Sequence, residues 1–138
     1  MGFWRFSRDY LRAAKAVEAA SDDSVSFPAL YLYGLTIELA LKAFLLKRGL
    51  TLQKVKGFSH RLHEILLEAR SRKLGLEVKL SQNDVRVIRL LDVIYSNHEL
   101  RYIVTGTVRV PPLTEVAAIA DRLVRGLESY CTGGSGRV

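Results

Sequence analysis

Residues 35–49, LTIELALKAFLLKRG, predict a buried α-helix that carries an opposite-charge pair at its centre. Apolar side chains lie on nearly every face of such a helix, which is typical of a helix that the rest of a fold surrounds. Glu38 and Lys42 interrupt the run, and their spacing places them one turn apart on the same face. The pair therefore either occupies the one solvated strip of this helix or lies in a cleft.

The residues that flank this stretch predict where its helix begins and ends. Pro28 suits a first helical turn and Gly49 is a typical stop signal, so we predict a helix from about residue 28 to Arg48. Ser59 and Ser81 are the expected N-caps of two later helices, and Asp84 completes a capping box with Ser81. Helical spacing of apolar residues predicts four more helices, over roughly residues 3–20, 59–75, 81–97 and 113–130.

Short connections between these helices predict one all-α domain over residues 1–130, an antiparallel up-and-down bundle of four to five helices. The β-branched stretch RYIVTGTVRVPP predicts a short extended excursion near residues 101–110. Residues 131–138, CTGGSGRV, are small and rich in glycine, so we expect a disordered C-terminal tail. A chain of 138 residues that is 49% hydrophobic is long enough to bury a core.

Composition also bears on compartment and partners. Glu38, Lys42 and Lys47 leave no uninterrupted apolar run of the roughly 18 residues that a membrane span needs, so we expect no membrane partner. Cys131 is the single cysteine, which precludes a disulfide or a cysteine-based zinc site within one chain. We expect a cytoplasmic protein without a cofactor.

The first helix carries the clearest basic surface. Four basic residues recur on one of its faces, namely Arg5, Arg8, Arg12 and Lys15. Trp4 and Tyr10 lie close to them in sequence. Another face carries the apolar stripe whose helical spacing predicts this helix, namely Phe6, Tyr10, Ala13, Ala14 and Val17. The formal net charge of +7 favours an anionic partner, and basic stripes beside aromatic rings suit phosphate contact with base stacking.

Three motifs together resemble the HEPN (higher eukaryotes and prokaryotes nucleotide-binding) superfamily of small helical bundles. They are the E-x-x-x-K helix of YLYGLTIELALKAFLLKRG, the G-x-x-H-x-L helix start of GFSHRLHEILLEA, and the L-R-Y segment of LLDVIYSNHELRYIVTG. The resemblance covers roughly residues 27–106. It implies a bundle that often dimerises, found in prokaryotic toxin–antitoxin and defence systems, sometimes beside a nucleotidyltransferase.

Many members of that superfamily are metal-independent ribonucleases whose signature is an Arg and a later His with four to six residues between them. Arg101 would be the signature Arg here, but residues 106–108 are Gly, Thr and Val. A His is the residue that moves a proton near neutral pH, and threonine cannot replace it. The alternative is a divergent ribonuclease that uses Arg101 with His98 or His60.

The resemblance further implies that His60 joins its helix to the helix that carries Glu38. Glu38, Lys42 and His60 would then form one polar network, and Arg101 and Tyr102 would complete a polar ligand site. His60, His63 and Glu64 also share a face at the start of the third helix, but no further metal ligand can be named, so no metal is predicted.

Three functions therefore remain open at the level of sequence. The first is a non-catalytic HEPN-like module, a homodimer, that binds RNA, a nucleotide or a partner protein. The second is the divergent ribonuclease. The third is a structural, antitoxin-like partner of a toxin or nucleotidyltransferase.

Overall fold

The computed structural model describes residues 2–21, 26–96 and 110–133. These ranges contain six α-helices, a 3₁₀ turn at Leu74–Leu76 and no strand, so the prediction of an all-α bundle is confirmed. The helices are α1 (Gly2–Ala20), α2 (Phe27–Lys47), α3 (Leu52–Gly57), α4 (Leu62–Ser71), α5 (Gln82–Tyr95) and α6 (Leu113–Thr132). Most of the predicted excursion near residues 101–110 lies outside the described residues.

Helix α2 is the centre of the bundle, with α1, α4 and α6 packed around it. Its start is capped by Ser26, whose hydroxyl accepts a hydrogen bond from the Ala29 amide at 3.2 Å, and Pro28 lies in the first turn as expected. Its stop is Gly49, which has the φ of +108° that favours glycine. The surrounding helices explain why this segment is apolar on nearly every face.

Helix α2 is also long and apolar enough to span a membrane when judged by length and composition alone. Judged by length and composition, Glu38, Lys42 and Lys47 therefore do not exclude a membrane span, contrary to the expectation from the sequence. In the fold most of this helix is buried against its neighbours. A core helix of a bundle meets the same criterion.

Helix α1 packs against α2 and α6 through a face that overlaps only in part with its apolar stripe. Trp4, Leu11 and Ala14 are buried, and the Trp4 indole N–H donates to the Val124 carbonyl of α6 at 3.0 Å. Within the apolar stripe, Ala14 is buried and Val17 packs against the core, whereas Phe6 and Tyr10 remain 53% and 37% exposed.

The segment between α2 and α4 also differs from its prediction. The stretch expected to be a loop contains α3, whose Thr51 cap accepts from the Lys54 amide at 3.2 Å. Ser59 is not an N-cap, because α4 begins at Leu62. The Leu62 amide instead donates to Asp92 of α5 at 2.9 Å, so a carboxylate from another helix satisfies the start of α4.

The last two helices begin and end as follows. The capping box of Ser81 and Asp84 at the start of α5 is present, with both hydrogen bonds formed. Helix α6 continues to Thr132 and buries Cys131, so the predicted tail was wrong for those two residues. Residues 134–138 lie outside the described ranges.

Candidate functional site

The carboxylate of Glu38 is the centre of a buried polar network. Its Oε1 accepts a hydrogen bond from the Tyr95 hydroxyl at 2.7 Å and from Nδ1 of His60 at 2.8 Å. Its Oε2 accepts from the Lys42 ammonium at 2.8 Å. Only 3% of Glu38 is exposed, so these contacts replace the water that the carboxylate gives up on burial.

Lys42 has a second partner besides Glu38. Its Nζ donates to the main-chain oxygen of Ser59 at 2.7 Å, and the residue is 7% exposed. A buried ion pair offsets its desolvation only when further hydrogen bonds satisfy both charges. Here the carbonyl of Ser59 accepts a further hydrogen bond from Lys42, while His60 and Tyr95 donate further hydrogen bonds to Glu38. The charged pair in α2 is therefore internal to the fold and does not occupy a solvated strip.

Tyr95, at the end of α5, is the member of the network that the sequence analysis missed. Burial raises the pKa of its hydroxyl well above the ordinary value, and the negative charge of Glu38 raises it further. The hydroxyl therefore stays protonated and acts as a donor to Glu38. Its ring lies 5.5 Å from the Tyr31 ring and 6.0 Å from the His60 ring, which meets it edge-on.

Gly34 is the sequence signal that could have located an aromatic ring at this point. A Cβ at position 34 would lie 2.6 Å from Cδ1 of Tyr95, so only glycine lets the ring approach α2 this closely. Gly34 lies one turn before Glu38 on the same face of α2. The glycine in the middle of a buried helix therefore places the Tyr95 hydroxyl against the carboxylate.

The structure brings together three of the five residues assigned to the polar site, namely Glu38, Lys42 and His60. Arg101 and Tyr102 lie outside the described residues, as does His98 of the alternative catalytic set. Through Tyr95 and the turn before α4, the network connects α2, α4 and α5. Each of the three donors around Glu38 comes from a different part of the chain, so the arrangement is suited to holding three helices in register.

The two histidines and Glu64 near the start of α4 do not form a metal centre with other described residues. Glu64 pairs with Arg61 at 3.0 Å, and His60 contacts Glu38. Nδ1 of His63 is buried without a hydrogen-bond partner in the described part of the chain. No group of three His, Cys, Asp or Glu side chains there is placed to hold a metal ion.

The basic face of α1, defined as Arg5, Arg8, Arg12 and Lys15, is only partly free. Arg5 and Arg12 are exposed and have no ion-pair partner among the described residues. Lys15 pairs with Asp121 of α6 at 2.8 Å, and Arg8 lies 3.5 Å from Asp9. The free charge of this face is therefore concentrated on its two exposed arginines.

The aromatic residues near this face differ in their exposure, and therefore in whether they can stack on a base. Trp4 is 5% exposed and bound to α6, so it cannot stack on a nucleobase as the sequence suggested. Phe6 and Tyr10 present exposed rings on another side of the same helix, because residues one or two positions from Arg5 and Arg12 do not share their face. These two rings are the ones available for stacking.

Fold and site together define an all-α bundle with a basic first helix and a Glu–Lys–His–Tyr network that is buried except at His60. No family model, no curated protein and no solved structure matches the chain.

Proposed function

We propose that the chain is a non-catalytic, HEPN-like helical module that binds RNA through the basic face of α1. The observation that supports this most directly is the pair of exposed guanidinium groups of Arg5 and Arg12, which no described carboxylate neutralises. Guanidinium groups contact phosphate oxygens through several N–H donors in a fixed fork. The net charge of +7 adds a long-range attraction for polyanions.

Exposed aromatic rings add a second kind of contact. Phe6 and Tyr10 lie on the same helix as these arginines, and single-stranded RNA offers unstacked bases to such rings. Neither ring selects a particular base, because every base has a face that can stack. We therefore expect binding of single strands with little sequence preference.

The closed network around Glu38 supports the non-catalytic part of the proposal. Glu38 and Lys42 are buried and fully engaged with protein partners, so neither is placed to contact a phosphate. His60 differs from them, because Glu38 holds its Nδ1 while 43% of its side chain is exposed, so this contact does not argue against a catalytic role. The alternative, a divergent ribonuclease, would depend on Arg101 with His98 or His60. For both functions the HEPN resemblance implies a homodimer in a toxin–antitoxin or defence system.

Binding and cleavage are tested on the same samples. Fluorescence anisotropy of a labelled single-stranded RNA gives the affinity, and a denaturing gel of the same mixture after several hours gives its integrity. We expect saturable binding with the RNA intact, with or without added divalent metal. Cleavage that Arg101→Ala or His98→Ala abolishes would contradict the proposal and favour the ribonuclease.

A further inference from the structure

A groove between α1 and α6 lies next to the basic face and has a volume of about 230 Å³. Its floor is apolar, formed by Trp4, Leu11 and Val124, all of which are buried. The hydrogen bond from the Trp4 indole to the Val124 carbonyl holds the two helices together at this floor. The groove is smaller than the roughly 300–1,000 Å³ pockets that hold whole drug-sized ligands, so it suits a small group.

One part of the rim is electrically balanced. Lys15 and Arg125 both pair with Asp121, at 2.8 and 3.1 Å, and Glu128 supplies a second carboxylate. Although partial burial raises the pKa of Asp121, the hydrogen bond and charge of Lys15 and the charge of Arg125 outweigh it, so the net shift is downward. Asp121 therefore stays ionised and holds both cations in place.

The remaining rim charge belongs to Arg8 and Arg12, which gives the groove a formal net charge of +2. Arg12 has no ion-pair partner among the described residues, and Arg8 makes only the 3.5 Å approach to Asp9. The guanidinium of Arg8 lies 5.6 Å from the centre of the Trp4 ring, at the edge of the floor. Its Nε is buried without a hydrogen-bond partner in the described ranges, so this donor is not open to the groove.

We propose that this groove binds a phosphate monoester, held between Arg8 and Arg12, with the first atoms of its attached group against Leu11 and Val124. A monoester carries a charge of about −1.5 to −2 at pH 7 and three acceptor oxygens, which matches the charge and the N–H donors of two guanidinium groups. A phosphodiester within a strand carries about one negative charge and has a substituent on both sides. The groove therefore distinguishes the end of a strand from its interior.

If the monoester is the end of an RNA strand, the inference rests on the proposed RNA binding. A free sugar phosphate offers the same chemistry and does not depend on RNA binding. Trp4 is the single tryptophan of the chain and lies on the floor, so its fluorescence reports on the groove directly. Ribose 5-phosphate is a suitable free probe because it does not absorb where tryptophan does. Dimethyl phosphate and ribose are its controls, for the diester charge and for the sugar.

The experiment titrates the whole chain at constant ionic strength with these three compounds and with ten-residue RNAs that end in a 5′-phosphate, a 3′-phosphate or hydroxyls only. We expect a saturable change in Trp4 fluorescence with ribose 5-phosphate and none with dimethyl phosphate or ribose. At least one phosphorylated RNA should bind about tenfold more tightly than the hydroxyl form. Arg12→Gln should weaken both effects about tenfold, while Arg89→Gln, an exposed arginine on α5 outside the groove, should change neither.

Arg8→Lys keeps the charge but removes the planar fork of guanidinium N–H donors, so it should also weaken binding while the melting temperature shows that the variant is folded. RNAs that bind equally with and without a terminal phosphate, together with no response to ribose 5-phosphate, would overturn the groove but leave the proposed RNA binding intact. Ribose 5-phosphate binding that depends on Arg12, with no RNA binding, would support the groove and overturn the proposed function. Absence of both would overturn both.

Discussion

The ammonium group of Lys42 lies 2.7 Å from the main-chain oxygen of Ser59. The φ of Ser59 is +53°, which is uncommon for a residue other than glycine. The next residue, His60, reaches Glu38 from the same turn. The charged pair of α2 therefore anchors the backbone that leads into α4. The ion pair within α2 thus fixes the position of the turn at which α4 begins.

Glu38→Ala should lower the free energy of unfolding by about 3 kcal/mol, because it leaves the buried Lys42 ammonium without its counter-charge and the Tyr95 hydroxyl without an acceptor. Urea denaturation followed by circular dichroism measures this directly. The matched control is Glu64→Ala on α4, which removes an exposed ion pair with Arg61. Its effect should stay within about 0.5 kcal/mol. Equal effects of the two variants would show that the buried network does not stabilise the fold.

Gly34→Ala should destabilise the protein by about 1–3 kcal/mol, although the same change in an open helix stabilises by about 1 kcal/mol. The added methyl group would meet the Tyr95 ring at 2.6 Å and displace the hydroxyl from Glu38. Gly57→Ala at the end of α3, where an added Cβ meets nothing within 4 Å, is the control and should be close to neutral.

A double-mutant cycle separates this contact from general helix effects. In a Tyr95→Ala background the ring is absent, so Gly34→Ala should become neutral or stabilising. The same loss of stability from Gly34→Ala in both backgrounds would mean that Tyr95 is not the obstacle.

Features that depend on neighbours in the chain could be predicted from the sequence. The stop of α2 at Gly49 and the capping box of Ser81 and Asp84 are local hydrogen-bonding patterns, so their residue types alone indicate them. The pairing of Glu38 with Lys42 follows from helical spacing. The contact of Glu38 with His60 was expected only from the resemblance to HEPN proteins.

Features that depend on distant residues were missed. Asp92 caps α4 from 30 positions away, and Tyr95 reaches Glu38 across 57 positions, so no local pattern reveals either contact. Helix α3 has six residues, too few to show a helical period. The apolar stripe of α1 does not reveal that Trp4 is buried, because its indole finds a hydrogen-bond acceptor in α6, 120 positions away.

The proposed RNA binding has a quantitative signature in its salt dependence. For a single strand, each phosphate neutralised contributes about −0.7 to the slope of log affinity against log salt concentration, because it releases condensed counterions. Arg5→Gln and Arg12→Gln should each reduce the magnitude of that slope by about 0.7, as anisotropy titrations between about 50 and 200 mM salt would show. Arg89→Gln serves as the control and should leave it unchanged. A wild-type slope near zero would point to a protein partner.

Stability should fall at alkaline pH through the single cysteine. Burial raises the pKa of the Cys131 thiol from its ordinary 9.0 to about 11, so the folded state keeps a proton that the unfolded chain loses. The stabilisation from the neutral thiol is therefore intact below pH 9 and declines as the pH rises towards 11, by up to about 2–3 kcal/mol. Cys131→Ala removes the contribution of the thiol to the pH dependence of stability. The contribution of the buried tyrosines stays the same in wild type and variant. Urea denaturation under reducing conditions should show wild type the more stable at pH 7.5, with the difference shrinking by about 2 kcal/mol at pH 10.5. A difference that is the same at both pH values would show that the thiol ionises equally easily in the folded and unfolded chains.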